Sequence, residues 1–180
     1  MKDLALHILD IANNSVSAKA KLIEITVDEQ TAYNTLTITI KDDGRGMSPE
    51  FLSRVTDPFT TTRTTRKVGM GISLLKQNAE MTGGHLTIKS TENVGTTLKA
   101  VFTANHIDRP PLGDMAGVIT ILITGNSEID FIYLQKLNNK SIKFDTSEIK
   151  EALEGVSINN PHIVKYVNEM IEEGINDINE

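Results

Sequence analysis

The sequence predicts an α+β fold, in which a mostly antiparallel sheet and several helices form one main domain with a smaller extension. An amphipathic helix opens the chain, two pairs of alternating apolar stretches follow as strand hairpins, and a glycine-led helix separates the pairs. The length of 180 residues suits one domain with an appendage, and 39% apolar and 23% charged residues are close to globular averages.

The first elements are a helix and a hairpin. A helix is predicted over residues 7–18. Its stripe predicted to face the core consists of Leu6, Leu9, Ala12 and Val16. Residues 21–27 and 36–40 alternate between apolar and polar side chains, which predicts two paired strands around a polar turn at 28–34. Ser48, followed by Pro49, is typical of a helix start.

The middle of the chain contains a predicted loop, a helix and a second hairpin. Residues 57–67 have neither helical nor strand periodicity, which indicates a loop. The sequence Gly69-Met70-Gly71 precedes a helix over 72–81, which Gly83 and Gly84 would end. Two further strands, 85–90 and 96–102, would pair across a turn.

Pro110 and Pro111 predict a boundary between a domain at 1–108 and an extension at 109–180. The continuous apolar run 118–124 is typical of a buried strand, and stretches 131–137 and 140–144 predict a tight hairpin. We expect these strands to extend the sheet or form a second layer. Two helices would close the chain. The first would begin near Asp145 or Thr146, and the second would have Asn160 as its N-cap and Gly174 just past its end.

Charge and composition exclude several classes of protein. The net charge is −6, and residues 145–180 contain nine acidic residues and two lysines, so nucleic acid is not the expected partner. The absence of cysteine excludes disulfides and thiolate metal sites. No apolar run approaches the ~20 residues that span a bilayer, and no secretory signal is evident, so we expect a cytoplasmic protein without a membrane partner.

Asp10 and Asn14 form the first candidate site. They are four residues apart on a predicted helix, so both side chains project from one face. The Asn oxygen could bind a hard cation, while the carboxylate could orient water or accept a proton. Taken alone, the pair is more simply explained as solvated polar residues on a surface helix.

Glycine-rich segments form the second candidate site. In Asp42-Asp43-Gly44-Arg45-Gly46, glycines would allow close backbone approach, and a carboxylate ending a buried strand could accept a hydrogen bond from the amine of adenine. Gly69-Met70-Gly71 at a helix start could present N–H groups to phosphate. Arg63, Arg66 and Lys67 would add positive charge, unless they belong to an ordinary solvated loop. The hydroxyls of Gly95-Thr96-Thr97 could line a base pocket.

In this order and spacing, the segments resemble the GHKL superfamily, the Bergerat-fold ATP-binding domains of histidine kinases, anti-sigma-factor kinases, MutL proteins, gyrase-type topoisomerases and ATP-driven chaperones. Residues 10–18 resemble its N box, 42–46 its first glycine box, 57–67 its Phe-bearing segment and ATP lid, and 69–72 and 95–97 its last two boxes. The resemblance covers roughly residues 3 to 104. It implies an α/β sandwich with a mixed, mostly antiparallel sheet and helices packed on one face.

The resemblance also implies roles for individual residues. Asn14 would bind Mg²⁺, Asp10 would act catalytically on water or in phosphoryl transfer, and Asp42 would read adenine. Residues implied to support ATP binding are Gly44, Gly46, Met47, Arg63, Arg66, Lys67, Gly69, Met70, Gly71 and Thr97. One departure is Asp10, because the family usually has Glu, and a shift of ~1 Å in a catalytic group can cost ~100-fold in rate.

The resemblance implies ATP, ADP and Mg²⁺ as ligands and leaves three functions open. The first is a kinase that phosphorylates a separate protein, as anti-sigma-factor kinases or a detached histidine-kinase catalytic domain would. The others are a slowly hydrolysing ATPase switch and a non-catalytic nucleotide sensor that binds a partner, and a homodimer also stays open. No phosphoacceptor helices precede the first helix, and His7 is expected to be a partly exposed residue rather than a phosphoacceptor.

Overall fold

A six-stranded sheet is the centre of the computed structural model, which describes residues 2–57 and 68–180. The strands are β1 (Leu22–Gln30), β2 (Thr35–Asp42), β3 (His85–Thr91), β4 (Gly95–Thr103), β5 (Asp130–Leu137) and β6 (Lys140–Asp145). Their order across the sheet is β3-β4-β2-β1-β5-β6, and all neighbours are antiparallel except β1 and β5. The sheet is therefore mixed and mostly antiparallel, as predicted, and the extension adds its two strands to the edge at β1.

Helices cover one face of this sheet. They are α1 (Leu4–Ser17), α2 (Pro49–Leu52), α3 (Val68–Met81), α4 (Met115–Gly125), α5 (Thr146–Ala152) and α6 (Pro161–Asn179). Ile23, Ile38 and Phe102 are among the buried strand residues that point toward the helices. Lys41 and Lys99 alternate with buried residues on their strands and are exposed on the opposite face. This period-two alternation confirms an α/β sandwich with helices on one side.

The first helix begins at Leu4, before the predicted start at residue 7, and a different face of the helix is buried than predicted. Asp3 is its N-cap and accepts a hydrogen bond from the Leu6 N–H at 2.9 Å. Leu6 is 40% exposed, whereas the buried face contains Leu4, Ile8 and Ile11. The helix packs against α3 and α4 as well as the sheet, so Leu4, Ile8 and Ile11 reach the core, whereas Leu9 and Val16 of the predicted stripe are only partly buried.

His7 is buried, which contradicts its expected partial exposure. Only 1% of the residue is accessible, and its Nε2 lies 3.0 Å from Asn78 Nδ2 of α3. Its Nδ1 has no hydrogen-bond partner among the described residues. His7 therefore belongs to the contact between α1 and α3.

Two predictions in the extension are wrong. Residues 118–124 lie in the helix α4, where Asp114 caps the start by accepting from Gly117 N–H at 2.8 Å. This helix packs between α1 and α6, so it is apolar on most sides and resembles a buried strand in sequence. Gly174 lies inside α6 rather than past its end, because its missing Cβ allows close packing against Ile142.

The predicted starts of three helices agree with the structure. Ser48 caps α2, Asp145 caps α5 and Asn160 caps α6. The glycines at 69 and 71 lie within the first turn of α3 rather than before the helix. Across residues 2–57 and 68–180, no helix has the length and apolar character needed to cross a bilayer.

Candidate functional site

A cavity of about 530 Å³ lies between the last turns of α1 and the end of the sheet where β2 finishes. Its apolar walls include Ile11, Ile40, Met47, Ile72 and Leu98. Its polar lining residues include Asn14, Ser15, Asp42 and Thr96, with Arg45, Glu92 and Asn93 among the others. A mostly apolar cavity with a few fixed polar groups suits a small organic ligand with a flat apolar part.

The Asp42 carboxylate is held by two donors at the end of β2. Ser15 Oγ donates to Oδ2 at 2.6 Å, and the Gly44 backbone N–H donates to Oδ1 at 2.9 Å. Thr96 is its direct neighbour on β4. Each carboxylate oxygen can accept a further hydrogen bond, so Asp42 can receive a donor group from a ligand in the cavity.

The loop after Asp42 is fixed to the end of α1 and the start of β1. Asp43 Oδ1 accepts from the N–H groups of Lys21 and Leu22 at 2.8 and 2.9 Å. Partial burial alone would raise the pKa of Asp43, but hydrogen bonds from these two N–H groups hold that pKa below its ordinary value. The Arg45 N–H donates to the Ala18 carbonyl at 2.9 Å. The loop is thus anchored independently of any ligand.

Gly46 adopts a left-handed backbone conformation in a place where a side chain would clash. Its φ is +67°, and a Cβ built there would lie 2.0 Å from the Thr91 carbonyl oxygen. This glycine therefore brings the loop into direct contact with the β3–β4 turn and closes one side of the cavity.

On α1, Asn14 lines the cavity and Asp10 lies one turn before it, outside the described lining. Asn14 Nδ2 is buried and has no hydrogen-bond partner among the described residues. Burial raises the pKa of Asp10 above its ordinary value. Its carboxylate packs against Gly71, where a built Cβ would lie 1.8 Å from Oδ2. The two residues thus face α3 and the cavity from one side of α1.

The chain offers few metal ligands of its own near the cavity. Within the described ranges, no group of three or more His, Cys, Asp or Glu side chains could hold a metal ion. Asn14 lines the cavity, and because its Nδ2 has no hydrogen-bond partner among the described residues, no such bond fixes the orientation of the amide, whose oxygen is a type of ligand that suits Mg²⁺. The residues therefore fit a Mg²⁺ ion that takes most of its ligands from phosphate and water, and do not form a closed metal site.

The structure brings some of the predicted site residues together and leaves others apart. Asn14, Asp42, Gly46 and Met47 line the cavity. Gly44 packs on Ala18 behind it, and Met70 is 57% exposed on α3. Gly69 lies in the first turn of α3. Arg63, Arg66 and Lys67 lie outside the described residues.

Thr96, rather than Thr97, lines the cavity. Leu98, Ala100 and Phe102 of the same strand are buried toward the helices, so Thr96 shares their face and Thr97 belongs to the opposite one. The alternation of β4 was a signal for this placement. Ser15 was also missed, and its position directly after Asn14 gives no signal of the contact with Asp42.

Comparisons with known proteins agree with this geometry. The family model "Histidine kinase-, DNA gyrase B-, and HSP90-like ATPase" matches residues 2–108. Histidine protein kinase DivJ of Caulobacter vibrioides is 30% identical over 51% of this chain and 16% of its own length. Heme sensor protein HssS of Staphylococcus saprophyticus is 31% identical over 48% of this chain and 18% of its own length. The chain thus spans less than a fifth of either relative.

A solved structure with a similar fold covers more of this chain than the two sequence relatives above. The ATPase domain of Aquifex aeolicus MutL, solved in complex with ADP, has a TM-score of 0.54 and 15% identity, covering 86% of this chain and 68% of that one. At this identity the likeness concerns the fold alone, but it includes part of the segment beyond residue 108. Since the family model matches more than half of the 180 residues, the chain belongs to the histidine kinase-, DNA gyrase B- and HSP90-like ATPase family.

Proposed function

We propose that the chain binds Mg-ATP in the cavity beside Asp42 and transfers its γ-phosphate to a separate protein in signal transduction. The observation that carries the proposal is the Asp42 carboxylate, which two donors hold at the edge of a mostly apolar cavity next to Thr96. A carboxylate accepts hydrogen bonds, so it suits the amine of adenine, while the apolar walls suit the faces of the ring.

The remaining residues suit the other parts of the nucleotide. Met47 would contact the base, and Asn14 would hold Mg²⁺, which when bound neutralises phosphate charge. Asp10, whose pKa burial raises, would orient water or accept a proton. The N–H groups of Gly69 and Gly71 in the first turn of α3 would face the phosphates. The role of Arg63, Arg66 and Lys67 in neutralising phosphate charge remains a prediction from sequence.

Sequence relatives favour a kinase, because DivJ is a histidine protein kinase. An ATPase that changes conformation without phosphorylating a partner is the second candidate. The ATPase domain of MutL, which shares its fold over 86% of this chain, is a structural precedent for this candidate. A nucleotide sensor without catalysis is the third.

Incubation of the pure protein with γ-labelled ATP and Mg²⁺, with and without a cell lysate, separates these functions. Label on another protein is the result expected for the kinase. Release of free phosphate without labelled protein would support the ATPase switch, and tight ATP binding with neither product would support the sensor. A reaction with Asp10→Asn serves as the catalytic comparison, since this change removes the charge but keeps the size.

Binding itself is tested by calorimetry on Asp42→Ala. Loss of a hydrogen bond to a charged acceptor costs about 1.5–3 kcal/mol, so ATP affinity should fall at least about tenfold. Asn14→Ala should mainly remove the Mg²⁺ dependence of binding. Asp177→Ala, an exposed change on α6, is the matched control. Unchanged ATP affinity in the Asp42 variant would contradict the adenine assignment.

A further inference from the structure

Ser15 is a buried hydroxyl whose contact connects α1 to the end of β2. It is 4% exposed in the last turn of α1, directly after Asn14, and donates to Asp42 Oδ2 at 2.6 Å. This distance lies in the range of charge-assisted O–H···O⁻ hydrogen bonds. The other oxygen, Oδ1, accepts from the Gly44 N–H. Both protein contacts therefore use Asp42 as an acceptor.

The hydroxyl is not needed to hold the loop in place. The Arg45 N–H donates to the Ala18 carbonyl, and Asp43 accepts from two N–H groups at the start of β1. Gly44 also packs on Ala18, since a Cβ at residue 44 would lie 2.9 Å from the Ala18 Cβ. These contacts fix the backbone, so what the Ser15 hydroxyl adds is the orientation of one carboxylate.

Orientation decides which ligand groups the carboxylate can meet. With one donor on each oxygen, rotation about the Cβ–Cγ bond of Asp42 would break a hydrogen bond. The remaining lone pairs are therefore held in fixed directions beside the cavity. A ligand amine placed there gains a hydrogen bond, whereas a ligand carbonyl oxygen meets the negative charge of the carboxylate.

We propose that Ser15 is a positioning residue that sets nucleobase selectivity: its hydroxyl orients Asp42 so that the cavity accepts a base with an exocyclic amine and rejects one with a carbonyl at that position. The inference rests on the proposed function. It adds a residue that acts on the ligand only through Asp42.

The test compares binding of three nucleotides by calorimetry with Mg²⁺ present: ATP, purine riboside triphosphate, which lacks the amine, and GTP, which has a carbonyl. Wild-type protein should bind ATP about tenfold or more tighter than either analogue. In Ser15→Ala, ATP affinity should fall about tenfold while affinity for purine riboside triphosphate stays nearly unchanged. The ratio of the two affinities should therefore collapse.

Three variants accompany this measurement. Ser15→Cys keeps the size of the side chain but is a weak donor, so it should show the same loss of selectivity even where Ser15→Ala fails to fold. Ser15→Thr restores a hydroxyl and should recover the ATP preference. Ser141→Ala changes an exposed serine on β6, outside the cavity, and should leave the ratio intact.

Two results would overturn the inference, and they are distinguishable. If wild-type protein prefers ATP and the alanine and cysteine variants keep the same affinity ratio, Ser15 does not set selectivity, although the proposed function stands. If wild-type protein binds no nucleotide, the proposed function fails as well, and this is seen before any variant is compared.

Discussion

Burial changes the acid–base behaviour of two residues on α1. Desolvation by burial lowers the pKa of His7 from its ordinary value, because the charged imidazolium loses water. The same effect acts in the opposite direction on Asp10, where burial favours the neutral acid and raises the pKa. Both residues lie on the side of α1 that packs against α3. We therefore expect the contact between these helices to be sensitive to pH.

His7 should make the protein less stable on acidification. Its folded-state pKa is below 6.5, so the unfolded chain binds the proton first and the free energy of unfolding falls as pH drops below about 6.5. His7→Gln should reduce this pH slope. Urea unfolding at pH 7.5 and 5.5 measures it, with the exposed His162→Gln as control. Equal slopes for His7→Gln and wild-type protein would show that His7 is not responsible.

Gly71 and Asp10 should be energetically coupled. Gly71→Ala would place a Cβ 1.8 Å from Asp10 Oδ2, and relieving such overpacking typically costs about 1–3 kcal/mol of stability. In an Asp10→Ala background the obstructing carboxylate is gone, so the same change should cost little or gain about 1 kcal/mol from helix propensity. Chemical unfolding of the two single variants and the double variant tests this. The prediction fails if the cost of Gly71→Ala is equal in both backgrounds.

Much of the site could be predicted, because the glycine-rich segments and the polar pair on α1 follow local rules and together resemble the boxes of a known family. Asn14, Asp42, Gly46 and Met47 were predicted as site residues and do line one cavity. The contact between Ser15 and Asp42 joins residues that are distant in sequence and depends on how α1 sits on the sheet. Local patterns carry no such information.

At the scale of elements, α4 shows why a short apolar run is ambiguous. Residues 118–124 are rich in β-branched side chains, which favours a strand, yet α4 packs against α1, α6 and β5 and buries nearly all of its surface. Within residues 118–124, Ile121 is the exposed residue, at 58%. The capping Asp114, three residues before Gly117, was the local signal for a helix.

Two exposed glycines in the extension should respond oppositely to alanine. Neither has an atom within 4 Å of a built Cβ, but Gly125 ends α4, whereas Gly155 has a φ of +91°. Gly125→Ala should therefore stabilise the protein by about 0.5–1 kcal/mol. Gly155→Ala should destabilise it by about 1–2 kcal/mol, because its backbone conformation disfavours a Cβ. Thermal unfolding of both variants measures the signs, and equal signs would contradict this account.

At the scale of the whole molecule, the sheet joins the two predicted parts of the chain. β5 pairs with β1 from Leu22 to Glu29, and the start of α1 donates two backbone hydrogen bonds to Pro111 and Leu112. α1 also packs against α4. The division of the chain into a domain at 1–108 and an extension at 109–180 remains a prediction. Whether the two parts unfold together or separately can be measured.

The shared sheet should make the chain unfold as one unit. Amide hydrogen exchange, measured by mass spectrometry across a series of urea concentrations, can follow peptides from β4 and β5 separately. Because β5 is hydrogen-bonded to β1, we expect the same midpoint for both peptides. Two separated midpoints would instead support an independently folding domain that ends near residue 108.

The parallel pairing of β1 with β5 also has a consequence for biosynthesis. β1 is synthesised before its partner β5, which emerges from the ribosome only after β2, β3, β4 and α4. Until then, the backbone groups on one side of β1 have no strand to pair with, and such a vacant edge invites mispairing. Completion of the sheet is therefore a late folding step that requires contacts between distant parts of the sequence, which are slow to form.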